Sequence, residues 1–291
     1  MKIGTLEQPE LFELRRSEAT QIVSSGIRPF LKWAGGKSRL LPTLREKTPK
    51  TFGNYFEPFL GGGAMFFDLS PRKSVLSDSN EELINCYQVV RTSPQTLVSA
   101  LSNFQVEEKE YYRMRAIDPQ HLSKVERAAR FIYLNKTCFN GLHRVNKQGK
   151  FNTPFGHLKK ANLVDEENLF KASKLLASAE IFCINYFDLL TAKAEAGDFI
   201  YLDPPYLPIG KNSDFKRYTK NFFYEENHET LASLFKTLDH RGCKLLLSNS
   251  YHPRIEELYR GYRMQTVQAS RSINCRGDKR GAISERIISN F

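Results

Sequence analysis

The sequence predicts an α/β protein, a mostly parallel sheet covered by helices on both faces. Short apolar runs recur at 54–59, 74–78, 180–184, 199–203 and 244–248, each of strand length. Segments with helical periodicity lie between or beside them, which is the alternation that parallel strands need for their crossovers. The first run leads into Gly61-Gly62-Gly63, a turn where the backbone can approach a nucleotide-like ligand with no Cβ in the way.

Taken in order, residues 1–27 form a polar extension with a short helix expected near 11–16 and no assigned function. The core begins at Phe30-Leu31-Lys32-Trp33-Ala34-Gly35-Gly36-Lys37. The second strand ends on Asp78, 17 positions after Gly61. That is close to the spacing at which an acidic side chain meets a ribose hydroxyl, so a nucleoside site is expected. Ser79-x-x-Glu82 reads as a capping box opening a helix to Val90, Ser93-Pro94 as an N-cap with proline at the first helical position, and Ser123-x-x-Glu126 as a second capping box. Val125, Ala128, Ala129, Ile132 and Tyr133 form the buried face of that last helix. After Asn135 the pattern breaks into Asn140-Gly141, Gln148-Gly149 and Thr153-Pro154, turn-forming pairs that imply a loop or hairpin presenting polar side chains. Helices are expected again near 167–177 and 226–238. The division that follows is a main domain of 28–79 and 165–291, with a mostly helical insertion at 80–164.

Composition bounds the function. A chain of 291 residues with 41% hydrophobic content can bury a sizeable core. Its N-terminal stretch carries Glu7, Glu10, Glu13, Arg15 and Arg16 and no long apolar run, so neither signal peptide nor membrane span is expected, and the protein is placed in the cytoplasm. Five cysteines without Cys-x-x-Cys spacing or a histidine cluster argue against a zinc site or a disulfide framework. The net charge of +11 is concentrated. Lys136, Arg144, Lys147, Lys150, Lys159 and Lys160 fall in one stretch without an acid, and 271–286 holds five basic residues against Asp278 and Glu285. These cations alternate with Asn, Gly and aromatic residues, the composition expected where phosphates are neutralised and base edges are read. A nucleic-acid partner is favoured.

Asp203-Pro204-Pro205-Tyr206, at the end of the apolar run Phe199-Ile200-Tyr201-Leu202, carries the chemistry. Two successive prolines stop a strand along a fixed path. A carboxylate, a backbone carbonyl and an aromatic face then suit a flat ligand with an exocyclic amino group, the two acceptors taking its N–H bonds. No cysteine follows a proline, which excludes attack by a Pro-Cys thiolate on carbon 5 of cytosine.

With these motifs in the order glycine turn, basic insertion, Asp-Pro-Pro-Tyr, the chain resembles the Dam-type DNA adenine N6-methyltransferases, the α-group order of D12-class enzymes. The matching stretches run from Arg28 to the C-terminus. They include Lys32 to Lys37, Glu57-Pro58-Phe59, Ser77 to Asn80, Asn140-Gly141-Leu142, Phe151 to Gly156, Asp203 to Tyr206 and Ser248-Asn249. The resemblance implies a Rossmann-like S-adenosylmethionine-dependent methyltransferase sheet, an inserted DNA-recognition domain, and methylation of adenine N6 in duplex DNA within GATC, without a metal. It implies catalysis by Asp203, Pro204 and Tyr206, with the target base flipped out so that Tyr206 stacks on it. Trp33, Lys37, Glu57, Phe59, Gly61, Asp78 and Asp203 match cofactor-binding positions, and Asp188 is expected near the adenine of the cofactor. Lys32, Asn140, Leu142, Arg144, Asn152 and Pro154 match positions facing the target DNA, Arg144 suiting the O6 and N7 of guanine. Lys159 and Lys160 are expected to bind phosphates. Where relatives carry an aromatic wedge after the Pro-Phe-Gly segment, this chain has His157-Leu158. Cytosine N4 methylation usually has serine opening the tetrapeptide, and glutamine methylation leaves the basic insertion unexplained. Methylation of another DNA sequence or of RNA, and a DNA-binding regulator without activity, remain as alternatives.

Overall fold

A computed structural model describes residues 26–146, 148–158, 161–207, 223–270 and 282–291. The helix expected near 11–16, Lys147, Lys159, Lys160, Cys275 and the basic residues of 271–280 lie outside the described residues.

The strands are β1 (Tyr55–Glu57), β2 (Ser74–Asp78), β3 (Ala179–Cys183), β4 (Phe199–Leu202), β5 (Lys244–Ser250), β6 (Arg263–Ser270) and β7 (Ala282–Ser289). They form one seven-stranded sheet in the order β3-β2-β1-β4-β5-β7-β6. The first five are parallel, and β7 runs antiparallel between β5 and β6. Strands β1 to β5 fall where the apolar runs predict them. Strands β6 and β7 were not predicted. Arg263, Gln265, Thr266, Gln268, Ser284, Glu285 and Arg286 interrupt their apolar positions, as antiparallel strands near a sheet edge allow and fully buried parallel strands do not.

Alternation along the strands builds two cores. Tyr55, Leu76, Phe199, Tyr201 and Leu246 face one layer, and Phe56, Val75, Ile200, Leu202, Leu245 and Leu247 face the other, the period-2 consequence of pleating. The first layer is covered by α3 (Glu81–Thr92), α4 (Pro94–Ser102), α6 (Lys124–Thr137) and α7 (Glu166–Leu176), and the second by α8 (Tyr186–Lys193), α9 (Glu225–His240) and α10 (Pro253–Leu258). Shorter α1 (Leu41–Glu46) and α2 (Ala64–Leu69) flank β1, and α5 (Glu108–Ala116) precedes α6.

The helix starts follow their capping residues, with one shift. The Ser123 box is present, Glu126 N–H donating to Ser123 Oγ at 3.3 Å and Ser123 N–H to Glu126 Oε2 at 2.8 Å. For α3 the cap is Asn80 and not Ser79, because Asn80 Oδ1 accepts the Leu83 N–H at 3.1 Å while Asp78 Oδ1 accepts that of Asn80 at 3.0 Å. Ser93 precedes Pro94 as expected but makes no side-chain cap. A third, smaller core of Tyr111, Met114, Tyr133, Leu134, Cys138, Phe155 and Leu163 supports the turn-rich segment after α6. That segment closes on itself through the bridges Cys138 to Phe155 and Val145 to Phe151.

Candidate active site

The chain passes from β1 outward to β2 and β3, then returns to place β4 on the other side of β1. Ligands of open α/β sheets bind at such a switch point, beyond the carboxyl ends of the strands. Glu57-Pro58-Phe59 leaves β1 there and Asp203-Pro204-Pro205-Tyr206 leaves β4, so topology brings the two most informative motifs together.

Asp203 is held from two sides. Lys37 Nζ lies 2.9 Å from Asp203 Oδ2, and Ser248 Oγ donates to Asp203 Oδ1 at 2.9 Å. Ser248, buried on β5, lies 3.1 Å from the Tyr201 hydroxyl. Since the serine proton goes to Asp203, Tyr201 is the donor in that pair. Lys37 is only 5% exposed, donates to the Gly35 carbonyl at 2.6 Å and sits 4.7 Å from the centre of the Tyr206 ring. A buried ammonium needs this many partners. Pro204 is buried. The result is a carboxylate of fixed direction beside an aromatic face.

The glycine turn makes the opposite wall. Gly61 has φ +47°, and a Cβ there would lie 2.7 Å from the Trp33 ring, so only glycine fits this approach. Asp78 Oδ2 accepts the Gly61 N–H at 3.0 Å; burial raises its pKa while the N–H groups of Gly61, Asn80 and Ser79 oppose the rise. With three N–H donors on its two oxygens, the carboxylate keeps a lone pair for a hydroxyl. Glu57 is different from a surface ligand. It is 3% exposed, and its Oε2 accepts from the Tyr55 hydroxyl at 2.7 Å and the Phe66 N–H at 3.0 Å. Burial pushes its pKa up to about 8, so it is a neutral brace under the turn near pH 7. Phe59 stacks on Tyr186 with ring centres 5.0 Å apart and meets Phe223 edge-on. Asp188, in the first turn of α8, is exposed, its N–H capped by Asn185. The glycine cradle, the acid at the β2 end and the aromatic slot fit a nucleoside-bearing methyl donor. Among the described residues no cluster of three or more His, Cys, Asp or Glu side chains suits a metal.

A second face is built by the segment 138–158. Asn140 and Gly141 both have positive φ, 55° and 65°, and a Cβ on Gly141 would lie 2.5 Å from Lys32 Cβ. The turn therefore packs against the aliphatic stem of Lys32, and Lys32 and Asn140 are both exposed. Arg144 Nε donates to Asn152 Oδ1 at 2.8 Å and Arg144 Nη2 to the Asn152 carbonyl at 3.2 Å, so both hairpin arms aim one guanidinium. Pro154 is exposed. Leu142 departs from the expectation that it faces DNA: it is 8% exposed, and its carbonyl accepts the Thr153 hydroxyl at 2.7 Å. It shapes the hairpin from inside.

Several residues that matter here escaped the sequence reading. Asn135, 1% exposed, donates to the Lys32 carbonyl at 2.7 Å and accepts from the Lys32 N–H at 2.8 Å, tying α6 to the Trp33 loop. His143 lies between Trp33, Phe131 and Phe151 at 5.3, 5.3 and 5.5 Å; burial lowers its pKa to about 4, which keeps it neutral. Phe139 is 41% exposed beside Asn140, whereas Leu158 is half-buried. An aromatic residue preceding Asn-Gly inside a basic stretch was the available signal for Phe139. Nothing local marks the others.

Fold and site define a methyltransferase with a Rossmann-like sheet and the acidic tetrapeptide Asp203 to Tyr206 at its switch point. A family model described as D12 class N6 adenine-specific DNA methyltransferase matches residues 33–273. The chain is 43% identical over 288 residues to the Type II methyltransferase M.MjaIII of Methanocaldococcus jannaschii, covering 91% of this chain and 99% of that one. It is 41% identical to the Type II methyltransferase M1.LlaDCHI of Lactococcus lactis subsp. cremoris, covering 91% and 96%. With the DNA adenine methylase of Escherichia coli K12 the identity is 34%, covering 89% and 93%. The protein belongs to the D12 class of N6 adenine-specific DNA methyltransferases.

Proposed function

We propose that the protein methylates adenine N6 within GATC in double-stranded DNA, with S-adenosylmethionine as methyl donor and the target base flipped out of the duplex. The placement of Asp203 carries this reading: a carboxylate aimed by Lys37 and Ser248, adjoining a buried proline and the Tyr206 ring. When bound, S-adenosylmethionine supplies an electrophilic methyl group. The residues of the chain then have to prepare the amine. Asp203 and the Pro204 carbonyl accept the two N6 hydrogens, which turns the nitrogen lone pair away from the ring. These bonds strengthen as positive charge builds on nitrogen, which is where stabilisation raises the rate. Tyr206 stacks on the extruded base. Lys37 shares Asp203 with the amine, since each carboxylate oxygen has a second lone pair.

For the donor, Trp33 and Gly61 form the close wall, Asp78 accepts ribose hydroxyls and Phe59 offers a stacking face; Glu57 supports the turn from below. For DNA, Arg144 reads a guanine edge, Lys32 and Asn140 lie beside the recognised bases, and Asn152 and Pro154 frame the hairpin. Lys159 and Lys160 neutralise phosphates. Phe139, exposed on this face, is better placed than Leu158 to wedge into the base stack. The recognition unit is the part of the 80–164 insertion that builds the third core, roughly from Phe104 to Val164; the helices over 81–102 belong to the core of the sheet, and α6 packs on both.

A second reading has its own support. The relatives of 41–43% identity are named Type II methyltransferases, which favours a modification enzyme paired with a nuclease, with GATC or another adenine-containing site. Expression in methylation-free cells, followed by mapping of N6-methyladenine by single-molecule sequencing, tests both. Complete modification at GATC is expected. Modification at a different motif replaces the specificity, and none at all removes the enzymatic reading.

A further inference from the structure

The last strand of the sheet reaches into the site. The Tyr206 hydroxyl donates to Glu285 Oε2 at 2.8 Å, although the two residues are 79 positions apart. Glu285 on β7 is paired in register with Ser250 on β5. Ser250 is itself 3% exposed, and its Oγ donates to the carbonyl of Leu207, the residue after Tyr206, at 2.9 Å. One cross-strand pair therefore grips the same dipeptide twice, Ser250 by the main chain and Glu285 by the phenol.

The pattern extends along β5. Ser248 and Ser250 point the same way because strand side chains alternate, and Ser248 holds Asp203 as Ser250 holds Leu207. The Tyr206 ring is fixed at its rim by Glu285 and on one face by Lys37 at 4.7 Å. Its pKa is raised well above 10 by burial first, then by Asp203 and Glu285, so the hydroxyl keeps its proton and remains the donor. A hydrogen bond from a half-buried phenol to a carboxylate is charge-assisted and directional. Without such an acceptor, a ring on a chain that has just left the sheet could turn about its side-chain torsions.

We propose that Glu285 is a positioning residue for methyl transfer, acting with Ser250 as a clamp that sets the plane of the Tyr206 ring. The proposal rests on the reading that Tyr206 stacks on the target adenine. It gives the antiparallel end of the sheet a role in the reaction. Glu285 touches neither substrate, so its removal leaves donor binding intact and acts on the rate alone.

The test is single-turnover methyl transfer from tritiated S-adenosylmethionine to unmethylated genomic DNA, with the full chain in excess, for Glu285→Ala, Glu285→Gln, Tyr206→Phe and Glu285→Ala/Tyr206→Phe. Glu285→Ala is expected to lower the rate about tenfold or more, the range for losing a hydrogen bond to a charged group, with the Kd for S-adenosylmethionine within about twofold. Glu285→Gln keeps an acceptor oxygen and should recover most of the rate. Tyr206→Phe should also lower the rate, and the double variant should lose no more than Glu285→Ala alone, since the phenylalanine removes the same bond from the other side. If Glu285→Ala fails to fold, Tyr206→Phe reads the same bond from the other side, and its wild-type rate overturns the clamp. Losses that multiply in the double variant, or a wild-type rate in Glu285→Ala, also overturn it. Tyr206→Ala separates the two ideas. If that variant keeps the wild-type rate, the stacking reading fails; if it loses the rate while Glu285→Ala does not, only the clamp fails.

Discussion

The catalytic end of the sheet and the hairpin after α6 present functional side chains by opposite means. Around Asp203 the partners come from distant parts of the chain: Lys37 before β1, Ser248 on β5 and, through Tyr206, Glu285 on β7. Around Arg144 they are local, because Asn152 is eight positions away and the turn between them is closed by Asn146, whose Oδ1 accepts the N–H groups of Gln148 and Lys150 at 3.0 Å each. The first arrangement is tied to the core, since Ser248 and Glu285 are also residues of sheet strands and Lys37 is buried beside Asp203. The second can vary in sequence without disturbing the core. On the proposed function the reaction sits on the sheet and the sequence preference on the hairpin, so substitutions in the two places should fail differently.

The largest effect is expected at Asp203. Asp203→Ala should abolish methyl transfer, by about 3 kcal/mol or more in activation free energy, while duplex affinity measured by fluorescence anisotropy stays at its wild-type value. Near wild-type turnover would break the contrast at its catalytic pole. Arg144→Ala should instead retain transfer and lose about 1–3 kcal/mol of discrimination at one guanine position. The check is kcat/KM on GATC and on duplexes altered at each base, at one fixed salt concentration; uniformly lower activity with intact ratios would make Arg144 a phosphate contact. Asn152→Ala should show the same pattern, weaker, because it frees the guanidinium without removing it.

Glu57 sharpens the comparison through stability. Its folded pKa of about 8 lies above the unfolded value of 4.5, so between those values the folded state binds more protons than the unfolded one. Stability therefore falls as pH rises through this window. Glu57→Gln, a neutral stand-in, should match the wild type near pH 5 and exceed it at pH 9 by roughly 1–3 kcal/mol. Denaturant melts of both proteins at the two pH values test this, and a constant difference between them would show that Glu57 folds with its charge. The smallest effect is expected from Lys159 and Lys160. Replacing both with Ala should weaken all duplexes alike and flatten the salt dependence of binding by about one to two units of slope. An unchanged slope would leave them as solvated charge.

Strands β1 to β5 and the glycine turn were legible because strong local rules fix them: a buried parallel strand must be apolar, and a close backbone approach demands glycine. The capped start of α6 was legible for the same reason, as were Asp203, Tyr206, Trp33 and Lys37, which stand in short motifs. The burial of Leu142 was not legible, since it depends on how the hairpin folds back to bring Thr153 onto its carbonyl. The amino-acid sequence alone determined the sheet class, the tetrapeptide and the basic stretch, because propensity, periodicity and composition act over a few residues. Only the tertiary structure decided that Ser248 and Tyr201 orient Asp203, that Asn135 ties the Trp33 loop to α6, and that Glu285 reaches Tyr206. The first and last of those contacts depend on the register between strands and the second on how α6 packs against the loop, and these are set by the packing of the whole sheet and by no single segment of it.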